Sequence, residues 1–175
     1  MMIYYILKWA GEKEITADRK NISTKVSIII PARNEEQNIT SCLQSIFRQN
    51  YSKENFEVIL VDDASEDKTL QIANDFKTTN KFSNLMIIPL TDINSLSPKK
   101  RAITEGIKNS LGDLIVTTDA DCTMGDKWIR SIASFYEAEQ PKMIVSPVCI
   151  SGEKTLFEKI QSLEISGLML MTCAS

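Results

Sequence analysis

The chain has 175 residues, 43% of them hydrophobic and 25% charged, with a formal net charge of −3. That length fits one domain able to bury a core without disulfides or a structural metal, and the slight acidity gives no overall basic footprint, so no nucleic-acid partner is expected. Histidine is absent, which excludes His-based triads, His metal ligands and His general bases within these residues.

The opening MMIYYILKWAG is an apolar run of about ten residues, shorter than the roughly 20 needed to span a bilayer, and it lacks the small-residue cleavage site of a signal peptide. It reads either as an interfacial membrane anchor or as an element packed on the domain. Residues 12–24 are polar and read as a linker, so 1–24 form an N-terminal extension. From Lys25 strand-like and helix-like segments alternate. VSIII (26–30) is a β-branched run ending at Pro31, and 36–49 place Ile39, Leu43, Ile46 and Phe47 on one helical face. FEVILV (56–61) predicts a second strand, followed over 66–77 by Leu70, Ala73 and Phe76 at helical spacing. LMIIPL (85–90) predicts a third strand, and 98–109 a helix burying Ala102, Ile103 and Ile107. DLIVTT (113–118) predicts a fourth strand, and 126–137 align Trp128, Ile129, Ile132 and Phe135. MIVSPV (143–148) reads as a fifth strand and 153–171 as a last helix, whose apolar end LEISGLMLMTCAS is expected to continue into a longer protein. The four cysteines, Cys42, Cys122, Cys149 and Cys173, show neither zinc nor disulfide spacing and read as reduced core residues in a reducing compartment.

Near-continuous apolar strands are buried on both faces, as in parallel sheets, and strand–helix alternation gives the same α/β class, a mostly parallel sheet with helices on both faces. Ligands of such sheets sit beyond the carboxyl ends of the strands. Those ends carry PARNEE (31–36), DDASEDKT (62–69) and TDADC (118–122). In the second cluster Ser65 or Asp63 could cap the following helix, with Asp67 favouring its dipole; capping does not require the adjacent carboxylates Asp62 and Asp63. In the third, Asp119 and Asp121 are two apart in an extended segment and leave it on the same side. Two such carboxylates repel, and one would tend to hold its proton. A divalent cation removes the conflict. Oxygen-only ligands favour Mg²⁺ or Mn²⁺ over zinc, and Mg²⁺ is typically held by one or two carboxylates plus substrate phosphates. SPKKRAITEG (97–106) sets Lys99, Lys100 and Arg101 at a helix start, where cations oppose the macrodipole; a bound diphosphate explains that choice, and so does a solvated charge run.

The blocks VSIIIPARNEE (26–36), VILVDDASEDKT (58–69), SPKKRAITEGI (97–107) and LGDLIVTTDADC (111–122), in this order, resemble the family 2 glycosyltransferases, which have the GT-A fold. The resemblance implies a nucleotide-sugar-binding core over 25–150, with 151–175 the helical start of an acceptor- or membrane-proximal part. It implies transfer of a sugar from a nucleotide-diphosphate sugar to an acceptor hydroxyl, saccharide or lipid-linked, with inversion and metal assistance by Mn²⁺ or Mg²⁺. Pro31, Ala32, Arg33 and Glu35 would line base and ribose. Of the pair Asp62–Asp63, the second would contact a uracil ring, which makes a UDP-sugar the expected donor. Lys99 and Arg101 would neighbour the diphosphate. Pro98 stands where the family has glycine, and Ile103 and Thr104 take its leucine and asparagine positions. Asp119 and Asp121 would hold the metal, Asp119 also facing the donor. The family's general base is an aspartate or glutamate in the acceptor half. Glu153, Glu158 and Glu164 all lie on a helical pattern, so the base is expected outside this chain, and the chain alone is expected to bind donor without transferring sugar. The full-length protein is expected at the membrane, facing the cytoplasm where nucleotide sugars are made. A receiver domain would carry its acidic pair after the first strand. A nucleotidyltransferase or a dinucleotide-binding domain would need a glycine-rich loop there. The remaining alternative is a catalytically inert nucleotide-sugar-binding module.

Overall fold

A computed structural model describes residues 22–91, 97–146, 148 and 155–173, with side chains of the last segment described through Glu164. The N-terminal apolar run, most of the linker, Cys149 and Glu153 lie outside the described residues. Residues 16–140 form one compact unit; the last helix belongs to a second.

The elements in order are β1 (Val26–Ala32), α1 (Ile39–Phe47), β2 (Phe56–Asp63), α2 (Thr69–Asn80), β3 (Leu85–Leu90), α3 (Pro98–Lys108), β4 (Leu114–Thr117), α4 (Trp128–Glu139) and α5 (Leu156–Cys173). The sheet has the order β3-β2-β1-β4, with every pairing parallel. Ile28 of β1 stands between Val58 and Val116, and Ile29 between Ile59 and Thr117. Because side chains alternate across a strand, this register sorts the core into two layers. Ile28, Ile30, Val58 and Leu60 pack with Ile39, Leu43 and Ile46 of α1, Ala73 of α2, and Ile129 and Ala133 of α4. On the opposite face Ile59 and Val61 pack with Ala102 of α3. Both faces are thus covered, as the apolar runs predict.

Helix α3 lies across β1 and β2. Its close approach depends on Gly106, where an added Cβ would stand 2.4 Å from Ile29 Cγ2. Glycine inside a helix costs about 0.5–1 kcal/mol against alanine, which here allows helix and sheet backbones to approach. The approach fixes where the first turn of α3 meets the strand ends.

Two features differ from the sequence expectation. Helices α1 and α2 each begin three residues later than their periodicity suggests, at Ile39 and Thr69, because the preceding residues are committed to contacts between loops. The expected fifth strand is not formed: residues 143–146 and 148 lie in no strand. An apolar β-branched pattern expresses a preference for extended backbone, but a strand exists only where a neighbour takes its hydrogen bonds.

Helix α5 is capped reciprocally. The Thr155 N–H donates to Glu158 Oε2 (2.8 Å) and the Glu158 N–H to Thr155 Oγ1 (3.2 Å), a capping box. Among the described residues, no helix is long and apolar enough to cross a membrane.

Candidate functional site

All four strands run parallel, so their carboxyl ends share one edge of the sheet. The chain fills positions β1, β2 and β3 in one direction and then crosses back to place β4 on the other side of β1. The crevice at such a reversal is where open α/β sheets bind ligands. A pocket of ≈ 310 Å³ opens there. The end of β1 contributes Pro31, Ala32, Arg33 and Glu35 to it, β2 contributes Asp63, α3 contributes Pro98, Lys99 and Ala102, and the turn after β4 contributes Asp119, Ala120 and Asp121. Of the residues picked out by sequence, Asp62 and Arg101 do not line it.

The loops after β1 and β2 are clasped together. The Asn34 N–H donates to Ser65 Oγ (3.0 Å), and Asn34 Oδ1 accepts from the Glu66 N–H (2.8 Å). The Glu35 N–H donates to Thr69 Oγ1 (2.7 Å), the Glu36 N–H to Asp67 Oδ2 (3.1 Å), and the Lys68 N–H to Glu36 Oε2 (3.1 Å). Asn34 and Ala64 hold left-handed backbone, with φ of 56° and 55°; asparagine tolerates this and alanine is strained by it. The expected cap of α2 is therefore corrected. Neither Ser65 nor Asp63 fills that role; Asp67 Oδ1 accepts the Thr69 N–H (2.9 Å) and hydroxyl at the helix start. Slight burial raises the Asp67 carboxyl, but the hydrogen bonds from Thr69 and Glu36 outweigh it and leave the group below its usual range.

Adjacent carboxylates at the end of β2 part ways because successive strand residues face opposite sides. Asp62 is buried, and its Oδ2 accepts from the Ser65 N–H (3.2 Å), shaping the turn. Asp63 lies on the α3 side, where its Oδ1 pairs with Arg101 Nη2. Its Oδ2 is buried without a hydrogen-bond partner, with Arg33 Nη1 at 4.0 Å. Arg101, expected beside a diphosphate, instead stands behind Asp63 with Nε and Nη1 buried and unpartnered.

The turn after β4 is bound to α1. Cys42 Sγ donates toward the Asp119 carbonyl (3.7 Å), and the Met124 N–H donates to Ser45 Oγ (3.1 Å). Gln49 Nε2 donates to the Gly125 carbonyl (2.6 Å), and Gln49 Oε1 accepts from the Ile129 N–H (3.0 Å). The sequence reading missed Ser45 and Gln49. Their signal is weak, a polar residue beside the apolar stripe of α1 and another just past its C-terminal end. Burial, then Cys122 and the nearby carboxylates, push the Cys42 thiol up to about 12, which makes it a packing residue. Burial and Asp121 also raise Cys122.

Asp119 and Asp121 fall in a turn rather than in extended strand, since β4 ends at Thr117. Ala120 between them is buried while both aspartates are exposed, so they still share the pocket side. Lys99 Nζ lies 2.6 Å from Asp119 Oδ1. Among the described residues, no group of three or more His, Cys, Asp or Glu side chains is placed to hold a metal. The described residues thus offer two carboxylates and no closed cage. This donor set fits Mg²⁺ or Mn²⁺ completed by phosphate and water oxygens, and does not fit a structural zinc.

Comparison with known proteins bears on the family and the fold. The model of glycosyl transferase family 2 matches residues 27–170. A dolichyl N-acetyl-alpha-D-glucosaminyl phosphate 3-beta-D-2,3-diacetamido-2,3-dideoxy-beta-D-glucuronosyltransferase of Methanococcus voltae is 31% identical over 150 residues, covering 81% of this chain and 46% of that protein. S. aureus TarS 1–349, solved with UDP-GlcNAc, superposes with a TM-score of 0.60 at 28% identity, over 75% of this chain and 36% of that one. A Pyrobaculum calidifontis mannosyltransferase, solved with GDP-Man and Mn²⁺, shares the fold with a TM-score of 0.66 at 23% identity, over 77% of this chain and 39% of that one. The chain spans less than half the length of each of these proteins. The parallel sheet, its helices and these neighbours establish the GT-A fold, and the chain belongs to glycosyl transferase family 2.

Proposed function

We propose that the strand-end pocket is the donor site of an inverting glycosyltransferase that moves a sugar from a UDP-sugar to a hydroxyl of a saccharide or lipid-linked acceptor. The observation that carries this reading is the pocket's two-ended chemistry. One end holds a buried carboxylate oxygen with no partner, Asp63 Oδ2. The other holds two exposed carboxylates, Asp119 and Asp121, that a divalent cation would bridge to phosphate. A buried acceptor without a donor costs about 1–3 kcal/mol, which a ligand N–H recovers. Uracil presents such an imide N–H between two carbonyls, and Arg33, 4.0 Å from the same oxygen, supplies a donor beside it. The TarS neighbour solved with UDP-GlcNAc supports the same choice of donor.

In this reading Pro31 and Ala32 form the floor of the nucleotide site, and Arg33 and Glu35 lie along base and ribose. Asp119 and Asp121 would hold Mn²⁺ or Mg²⁺, which would supply positive charge to the diphosphate leaving group. Lys99 adds a positive charge at the same end. The clasp between the β1 and β2 loops keeps Arg33, Glu35 and Asp63 in one geometry, which lowers the ordering cost of binding the nucleotide. Inversion needs a base opposite the leaving group. Glu158 is occupied as a helix cap, so we assign the base to the acceptor half of the full-length protein. The full-length protein is read as membrane-associated and cytoplasm-facing.

A thermal-shift panel of UDP, GDP, CDP and ADP with Mn²⁺ tests the donor. UDP should raise the midpoint most, since a ligand at a hundredfold excess over Kd adds about 2.7 kcal/mol. Equal shifts for all four would remove the base assignment.

A further inference from the structure

Lys99 is paired with one of the two carboxylates that would hold a metal ion. Its Nζ is 2.6 Å from Asp119 Oδ1, inside the pocket that Asp121 also lines. An ammonium at hydrogen-bond distance and a divalent cation on the same carboxylate repel each other at a few ångströms, so each weakens the other's hold on Asp119. The side chains of Lys99 and Asp119 are 62% and 53% exposed, so the lysine can leave along its flexible stem while its backbone stays fixed in the first turn of α3. It would move toward the nearest new negative charge, the diphosphate of a bound nucleotide.

We propose that Lys99 is the resident counter-ion of Asp119 and is displaced onto the diphosphate when nucleotide and metal enter, which makes the two ligands bind cooperatively. The proposal rests on the reading of Asp119 and Asp121 as cation ligands. In the nucleotide-free protein, Lys99 competes with the metal and weakens it. With nucleotide bound, the same charge adds to the attraction. Coupling of this kind is reciprocal, so metal must tighten nucleotide by the factor with which nucleotide tightens metal. An exposed ion pair is weak, which sets the expected size at about two- to fivefold.

The experiment is a Mn²⁺ titration of the full-length protein, with free Mn²⁺ read by electron paramagnetic resonance, without nucleotide and with saturating UDP. Lys99→Met should bind Mn²⁺ alone about two- to fivefold more tightly than the wild type, and UDP should tighten Mn²⁺ by a smaller factor than it does in the wild type. Lys99→Arg, which keeps the charge, should stay with the wild type. An Mn²⁺ affinity of nucleotide-free Lys99→Met that is unchanged or weaker would overturn the proposal, as would Lys99→Arg behaving like Lys99→Met. Asp119→Asn separates this proposal from the reading beneath it. If that variant loses Mn²⁺ while Lys99→Met is unchanged, only the exchange fails. If it keeps full Mn²⁺ affinity, the cation site fails with it.

Discussion

Two ion pairs flank β1 near the carboxyl ends of the strands, and the same helix turn supplies both cations. Arg101 pairs with Asp63 at the end of β2, and Lys99 pairs with Asp119 beyond β4. Side-chain exposure separates them: 22% and 4% for Arg101 and Asp63, against 62% and 53% for Lys99 and Asp119. The buried pair is imperfect, with Nε and Nη1 of the arginine and Oδ2 of the aspartate unpartnered. The exposed pair shows no buried unpartnered atom. Two pairs of like chemistry, built two residues apart, thus differ in setting: one is buried at the end of β2, the other lies open to solvent.

Breaking the buried pair should have the largest effect. Arg101→Met leaves the buried Asp63 charge with only the more distant Arg33, 4.0 Å from its other oxygen, a change that costs up to about 3–5 kcal/mol. At about 2–4 °C per kcal/mol for a chain of this size, thermal denaturation should show a fall of roughly 10 °C. Replacing both partners, Asp63→Leu with Arg101→Met, should recover most of that loss while uridine nucleotides no longer bind. A single variant as stable as the wild type would mean the pair is not buried in solution.

Next in size is the loss of recognition. Asp63→Asn should weaken UDP and UMP equally, by about 1.5–3 kcal/mol, the worth of a hydrogen bond to a charged group. Calorimetry with both nucleotides checks this, and a loss confined to UDP would place Asp63 at the phosphates instead. Lys99→Met should barely touch stability, within about 0–1 kcal/mol. A fall as large as that of Arg101→Met would erase the contrast between the pairs.

The smallest effect lies in the clasp. The Asp67 carboxyl is held below its ordinary value by hydrogen bonds. Its contribution is therefore complete above the unfolded carboxylate pKa of about 3.9 and is lost as pH falls through the lower folded value. Asp67→Asn should flatten the acid limb of the stability profile below about pH 4 and leave neutral pH affinity for Mn²⁺ alone unchanged. An unaltered acid limb would detach Asp67 from the clasp.

The two pairs also mark what the sequence could and could not reveal. Apolar runs named all four strands, and position at strand ends drew attention to the pair Asp62–Asp63 and to Asp119 and Asp121, because burial and alternation are written in residue type. The partition of DDASEDKT was hidden. Which aspartate shapes the turn, which faces the pocket and which meets Thr69 depends on the neighbouring β1 loop, 31 to 34 residues away in sequence. Arg101 was misplaced for a related reason. Helical spacing puts it about 200° from Lys99, so only one of the two could face the pocket, and the depth of the β2 end decided which. The strand expected over 143–148 failed because no local signal reports whether a pairing edge exists.

The central claim is that Asp119 and Asp121 bring a divalent cation to a nucleoside diphosphate in this pocket. Calorimetry of UDP binding to the full-length protein, with Mn²⁺ and with EDTA, tests it most directly beside the double variant Asp119→Asn, Asp121→Asn. The account predicts at least about tenfold tighter binding with Mn²⁺ in the wild type, a difference of about 1.4 kcal/mol. It predicts no metal dependence in a double variant that remains folded. Equal UDP affinity of the wild type with and without metal would contradict it.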